Sequence, residues 1–144
     1  MGHPEQSGRS PRVAAQAGAN RAVLVGHSQG SVLCAWWVCH RSPNSVVGID
    51  LVTCGSPLES LYAKFFPRHI GAEFLGWTAE RARTWRNFWR DIDPIATQLP
   101  IGSPNSGDTY LPDPDNRERV QAHGNYWIDK HQSDWIEGRM SATP

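Results

Sequence analysis

Ser28 stands between two glycines in Gly26-His27-Ser28-Gln29-Gly30, and a serine in this G-x-S-x-G spacing can act as a nucleophile. Serine at neutral pH is too weak to attack an acyl carbon unaided, so the spacing matters for what it does to the backbone. It places the serine on a strand-to-helix turn sharp enough to strain its φ/ψ, which lifts the hydroxyl clear of the sheet. Gly26 and Gly30 are expected where strand and helix nearly touch and a Cβ would clash. The following helix turns its positive end to the site, and the N–H of Gln29 is the expected oxyanion donor. A glycine-rich βα turn with a merely capping serine is the plain alternative. The apolar run Ala22 to Val25 before the motif and the apolar stretch Gly30 to His40 after it favour the nucleophile. A phosphate loop does not fit, because no Lys follows and the glycine spacing is wrong.

Such a serine needs a base, and the base needs an orienting carboxylate; on a strand–turn–helix elbow they follow in the order Ser, Asp or Glu, His. His40, His69, His123 and His131 lie downstream. His40 ends the helix that starts at the serine, His69 precedes any acid on a later strand end, and His131 falls in a terminal helix. His123, opening His123-Gly124-Asn125-Tyr126-Trp127 after a long loop, has the order expected of a late-delivered base. Asp91 and Asp93 both follow the strand candidate Arg83 to Trp89. Asp91 reads equally as a solvated loop charge or a partner for Arg90, whereas Pro94 helps to fix the orientation of Asp93, which is therefore preferred. Asp108, Asp113 and Asp115 read as loop residues without calcium-loop spacing. No metal site is expected, since the histidines and cysteines lack C-x-x-C or H-E-x-x-H spacing, and the chemistry asks for no cofactor.

The elements that must position these residues alternate. Ala22 to Val25 reads as a strand buried on both faces, and Gly30 to His40, apolar nearly all round through Val32, Leu33, Trp36 and Trp37, as a buried helix. Val46 to Cys54 is a second strand, ended by Gly55-Ser56-Pro57. Leu58, Leu61, Tyr62 and Phe65 fall at helical spacing before Pro67. Arg83 to Trp89 is a third strand, residues 95–122 are loop-like, and Asp129 to Arg139 forms a terminal helix. Residues 1–12 read as a leader, Val13 to Ala19 as the last turns of a helix, and 140–144 as a tail, leaving 13–139 as the folded domain. Strand and helix in alternation give an α/β fold with a mostly parallel sheet and helices on both faces.

Composition limits the partners. The 14 basic and 14 acidic side chains balance, so nothing electrostatic points to nucleic acid. No run approaches the ~20 apolar residues of a membrane span, and the polar start is no signal peptide. Cys34, Cys39 and Cys54, an odd count without framework spacing, suit free buried thiols in a reducing compartment, hence a cytoplasmic setting. The seven Trp, all from residue 36 onward, suit a deep core or an apolar substrate cleft.

The run Gly26 to Leu33 resembles the elbow of lipase- and esterase-like α/β-hydrolases. Thr53-Cys54-Gly55-Ser56-Pro57-Leu58, Leu61 to Pro67, Trp85 to Arg90, Asp93-Pro94-Ile95 and His123 with Tyr126 and Trp127 are similar to poorly characterised actinobacterial hydrolase domains, often found in larger membrane proteins. Over residues 22–130 the resemblance implies Ser28 as nucleophile, Asp93 as acid and His123 as base, acting on an acyl ester, with thioesterase and acyltransferase chemistry open to the same triad. It also implies that a longer parent is membrane-associated. Domains of this kind run to roughly 200–250 residues, with several strands before the elbow. The chain is therefore expected to be the C-terminal half of an α/β-hydrolase fold, without the loop that gives the second oxyanion donor. Two consequences are expected: an exposed first strand that invites self-association, and turnover near background, since one lost donor costs about 10²–10³. An inactive fragment or interaction module is thus the alternative to a working hydrolase.

Overall fold

Among the described residues four parallel strands form the sheet, the first two built largely on apolar side chains. The computed structural model describes residues 20–113 and 119–141. Strand β1 (Arg21–His27) leads into helix α1 (Gln29–His40), then β2 (Gly48–Cys54), a π-helical turn (Leu58–Ala63), α2 (Ala72–Arg81), β3 (Thr84–Trp89) and β4 (Ser106–Tyr110). Helix α3 (Arg119–Gly124), a 3₁₀ turn (Asn125–Ile128) and α4 (Lys130–Ser141) follow. The sheet order is β1-β2-β3-β4, all parallel.

Alternation along β2 shows how the sheet is covered. Ile49 and Leu51 pack with Val32, Ala35 and Val38 of α1 and with Phe74 and Leu75 of α2. Val52 and Cys54 turn the other way, to Phe88, Tyr126, and Trp135 and Ile136 of α4. Helices therefore lie on both faces, as the strand–helix rhythm predicts, and each fully buried Leu or Ile contributes about 1.5–3 kcal/mol. In register, His27 lies beside Cys54, Cys54 beside Phe88 and Phe88 beside Thr109. The carboxyl ends of all four strands thus share one rim, the usual place for a site in an open α/β sheet.

Polar groups pin the interior. Trp85 Nε1 donates to Thr53 Oγ1 (3.0 Å), Thr53 Oγ1 donates to Asn87 Oδ1 (2.9 Å), and Asn87 Nδ2 donates to Asp108 Oδ1 (2.6 Å). At the opposite end of the sheet the buried Asp50 accepts from Arg21, Arg83 and Thr84.

Several expectations are corrected. Helix α1 is buried on one side only, through Ser31, Val32, Ala35, Val38 and Cys39, while Leu33, Trp36 and Trp37 are exposed. Aromatic content does not by itself mark a core: Trp77 and Trp127 are exposed too, and Trp85 is the fully buried Trp. Of the helical stripe after β2, Leu58 is buried but Leu61 and Phe65 face outward. Helix α2 forms where the sequence pattern predicts no element, and the loop expected over 95–122 contains β4 and the start of α3. Asp108 is accordingly a strand residue, accepting also from the Leu99 N–H (3.0 Å), and burial pushes its carboxyl up. Asp113 lies in an exposed loop as read, and Met140 and Ser141 belong to α4 rather than to a tail. The leader, Val13 to Ala19, Asp115 and residues 142–144 lie outside the described residues. Cys39 and Cys54 are buried free thiols and Cys34 is half-buried. Among the described residues β1 pairs only with β2, and no helix is long and apolar enough to cross a membrane.

Candidate active site

The turn after β1 is the strained point of the backbone. Ser28 has φ 53° and ψ −127°, and among the described residues no other non-glycine has positive φ. Such strain costs about 1–3 kcal/mol and persists only where neighbours enforce it. Here the Ser28 N–H donates to the Cys54 carbonyl (3.0 Å) and the Ser31 N–H to the Ser28 carbonyl (2.9 Å). Ser31 Oγ donates back to the carbonyl of Gly26 (2.9 Å).

The two elbow glycines are not equivalent. A Cβ on Gly26 would lie 2.6 Å from the Gly30 oxygen and 2.8 Å from Ser31 Cα. A Cβ on Gly30 would meet nothing within 4 Å. The expected clash at Gly30 is therefore corrected: Gly26 faces the backbone of Gly30, whereas the absent side chain of Gly30 would point into open space. Gln29 is the first residue of α1, so its N–H has no carbonyl four residues back within the helix and lies at the turn next to Ser28.

His123, at the carboxyl end of α3, brings Nε2 to 2.9 Å from Ser28 Oγ. Its Nδ1 lies 2.9 Å from Asp93 Oδ2 and 3.1 Å from Oδ1. A carboxylate beside Nδ1 assigns the proton to that nitrogen and leaves the Nε2 lone pair for the serine hydroxyl. Asp93 is only 3% exposed. Its Oδ1 accepts from the Ile95 N–H (2.9 Å) and its Oδ2 from the Tyr126 hydroxyl (3.0 Å). The structure thus brings together the three residues picked from their order along the chain, Ser28, Asp93 and His123.

The other candidates fall elsewhere. Asp91 is exposed, and Arg90 pairs with Asp129 (2.5 Å) rather than with Asp91. His40 bonds to the Trp36 carbonyl of its own helix, and His69 and His131 are exposed. Cys54, next to the elbow, is pushed up to about 12 by burial and stays a neutral thiol.

Three further residues complete the site. His27 Nε2–H donates to the carbonyl of His123 (2.5 Å), and the two rings lie 4.9 Å apart. Alternation along β1 puts residue 27 on the face of 23 and 25, a signal available in the sequence. Gly55 has φ 57°, and a Cβ there would lie 3.0 Å from Tyr126 Cε2 and 3.2 Å from both His123 Cε1 and His27 Cδ2. Its missing side chain lets three rings converge. Tyr126 is fully buried, and burial, then the charge of Asp93, push its phenol up, so it stays a neutral donor.

Among the described residues no group of three or more His, Cys, Asp or Glu is placed to hold a metal. Cavities of about 350 Å³, bounded by Arg41, Arg81 and Arg83, and about 280 Å³, bounded by Phe74 and Trp77, include none of the relay residues. No family model, curated protein or solved structure matches the chain. Chemically, a half-exposed hydroxyl bonded to an imidazole that is itself held by a buried carboxylate can lose its proton as it attacks an electrophile.

Proposed function

We propose that this protein is a serine hydrolase of the α/β-hydrolase class, esterase- or lipase-like, acting on an acyl ester. The observation that carries the reading is the pair of 2.9 Å contacts joining Ser28 Oγ to His123 Nε2 and His123 Nδ1 to Asp93 Oδ2. In this mechanism His123 takes the Ser28 proton as Oγ attacks the ester carbonyl. The developing oxyanion turns toward the Gln29 N–H at the start of α1. His123 then protonates the departing alkoxide, leaving an acyl-Ser28 that water hydrolyses with His123 again as base. Thioester cleavage and acyl transfer need the same groups and differ only in leaving group or acceptor.

A non-catalytic interaction module is a second reading, favoured by the exposed Leu33, Trp36, Trp37, Phe65 and Phe66, since apolar side chains on a surface mark contact sites when contiguous. Turnover of p-nitrophenyl butyrate by the purified chain and by Ser28→Ala separates the two. The hydrolase reading expects slow turnover that Ser28→Ala abolishes. Turnover that survives the substitution, or none in either protein, overturns it.

A further inference from the structure

We propose that Tyr126 is a positioning residue of this relay: by holding one oxygen of Asp93 it divides the carboxylate charge between two donors and sets how tightly His123 keeps its proton. The inference rests on the serine-hydrolase reading of the same site.

Oδ2 of Asp93 is shared. It accepts from the Tyr126 hydroxyl at 3.0 Å and from His123 Nδ1 at 2.9 Å, while Oδ1 takes the Ile95 N–H and lies 3.1 Å from the same Nδ1. With Asp93 almost sealed from solvent, protein donors rather than bulk water satisfy these oxygens, and charge-assisted bonds of this kind are the strong ones. A carboxylate that spends charge on a phenol has less to offer the imidazolium beside it. The imidazole then releases its proton to the leaving group more readily, and it is free to act as base at lower pH.

The tyrosine is held so that its hydroxyl has no easy alternative. Its ring is fully buried in the second core. The Arg90 guanidinium lies over it, 5.1 Å from the centroid, and is itself fastened to Asp129 at 2.5 Å. The His27 ring approaches to 5.9 Å, and Gly55 presents no side chain. The Arg90 charge also favours polarisation of the phenolic O–H, which makes it a better donor. The titratable or charged groups around the pair are His27 from β1, its ring 4.9 Å from that of His123, Cys54 from β2 and Tyr126 from the 3₁₀ turn, with Arg90 over the Tyr126 ring and Asp129 paired to Arg90 one step further out. Tyr126 is the one whose hydroxyl donates to the nearer of the two oxygens that His123 Nδ1 contacts.

The test is a pH titration of the His123 ring, read from its Cε1–H resonance in ¹³C-histidine protein. It compares the full chain with Tyr126→Phe and with 3-fluorotyrosine installed at position 126. Removing the hydroxyl returns charge to Oδ2, so Tyr126→Phe should raise the His123 midpoint by about one pH unit, a tenfold change in proton affinity. Fluorotyrosine, a more acidic and stronger donor, should lower it by a smaller amount. A packing role would move neither, so unmoved midpoints or a reversed order overturn the proposal. Should Tyr126→Phe fail to fold, the direction in the fluorotyrosine protein decides. Midpoints that move as expected, in a chain whose Ser28 no fluorophosphonate labels, would leave the tuning standing and overturn the hydrolase reading alone.

Discussion

Gly26→Ala and Gly30→Ala add the same methyl group on either side of Ser28, and the structure predicts opposite results. At position 26 the new carbon would sit 2.6 Å from the Gly30 oxygen, 2.7 Å from its carbonyl carbon and 2.8 Å from Ser31 Cα. All three are backbone atoms, so no side chain can swing aside. Ordinary contact begins near 3.4 Å, so β1 and α1 must separate by most of an ångström, against the Ser31–Gly26 bond and the packing of α1. Overpacking of this kind costs about 1–3 kcal/mol. A displacement of ~1 Å between Ser28 and His123 costs about 10² in rate besides. At position 30 nothing lies within 4 Å, and alanine in a helix gains up to about 1 kcal/mol over glycine. Urea denaturation followed by Trp fluorescence, with equal slopes, should separate the two variants by about 2–4 kcal/mol, and fluorophosphonate labelling should slow only in Gly26→Ala. Equal stabilities, or a larger loss at Gly30, would refute the assignment of the close approach to Gly26.

Asp93→Asn places an amide where the Ile95 N–H, the Tyr126 hydroxyl and His123 Nδ1–H all seek an acceptor; the imidazole is pushed to the wrong tautomer, and ester turnover should fall by up to about 10⁴. Asp91→Asn, on an exposed loop residue, should change turnover less than about twofold, and a larger loss at Asp91 would reverse the choice of acid. Burial pushes the Asp50 carboxyl up, but hydrogen bonds from Arg83, Arg21 and Thr84 outweigh it and hold it below the ordinary carboxylate value of 3.8. Its stabilising contribution is thus present above that value and lost as pH falls through the depressed folded one. Asp50→Asn should therefore be less stable than the parent at pH 7 in denaturant titrations, with the gap closing only in strong acid; a gap independent of pH would refute this.

The strand, elbow and first helix were legible because a buried strand leaves an apolar run and the turn has steric demands that glycine meets. The Ser28–His123–Asp93 grouping was legible in order alone: Asp93 sits past a strand end with a proline behind it, and His123 comes late. Helix α2 leaves little trace in the sequence because its buried side, Phe74, Leu75, Thr78 and Ala79, is interrupted by Gly76 and flanked by charge. Strand β4, Ser-Gly-Asp-Thr-Tyr, pairs among the described residues with β3 alone and is held by that ladder rather than by a buried apolar run. Trp36 and Trp37 read as core because large aromatics usually are, yet both are exposed, Trp36 stacking on His40 and on Phe74 at the surface of α1. Gly55, Tyr126 and His27 meet at the site across separations of up to 99 positions, and no local pattern reports a contact of that kind.

The central claim is that Ser28 is a nucleophile activated by His123. The direct measurement is exposure of the folded chain to a fluorophosphonate, with the adduct located by peptide mass spectrometry, alongside Ser28→Ala and His123→Ala. A single phosphonylation needs only the activated hydroxyl, so it reports the relay even where turnover is slow. The account predicts one adduct per chain, on Ser28, absent in Ser28→Ala and formed at least about 10²-fold more slowly in His123→Ala. No adduct on folded protein, or one that persists on another residue when Ser28 is gone, would contradict it.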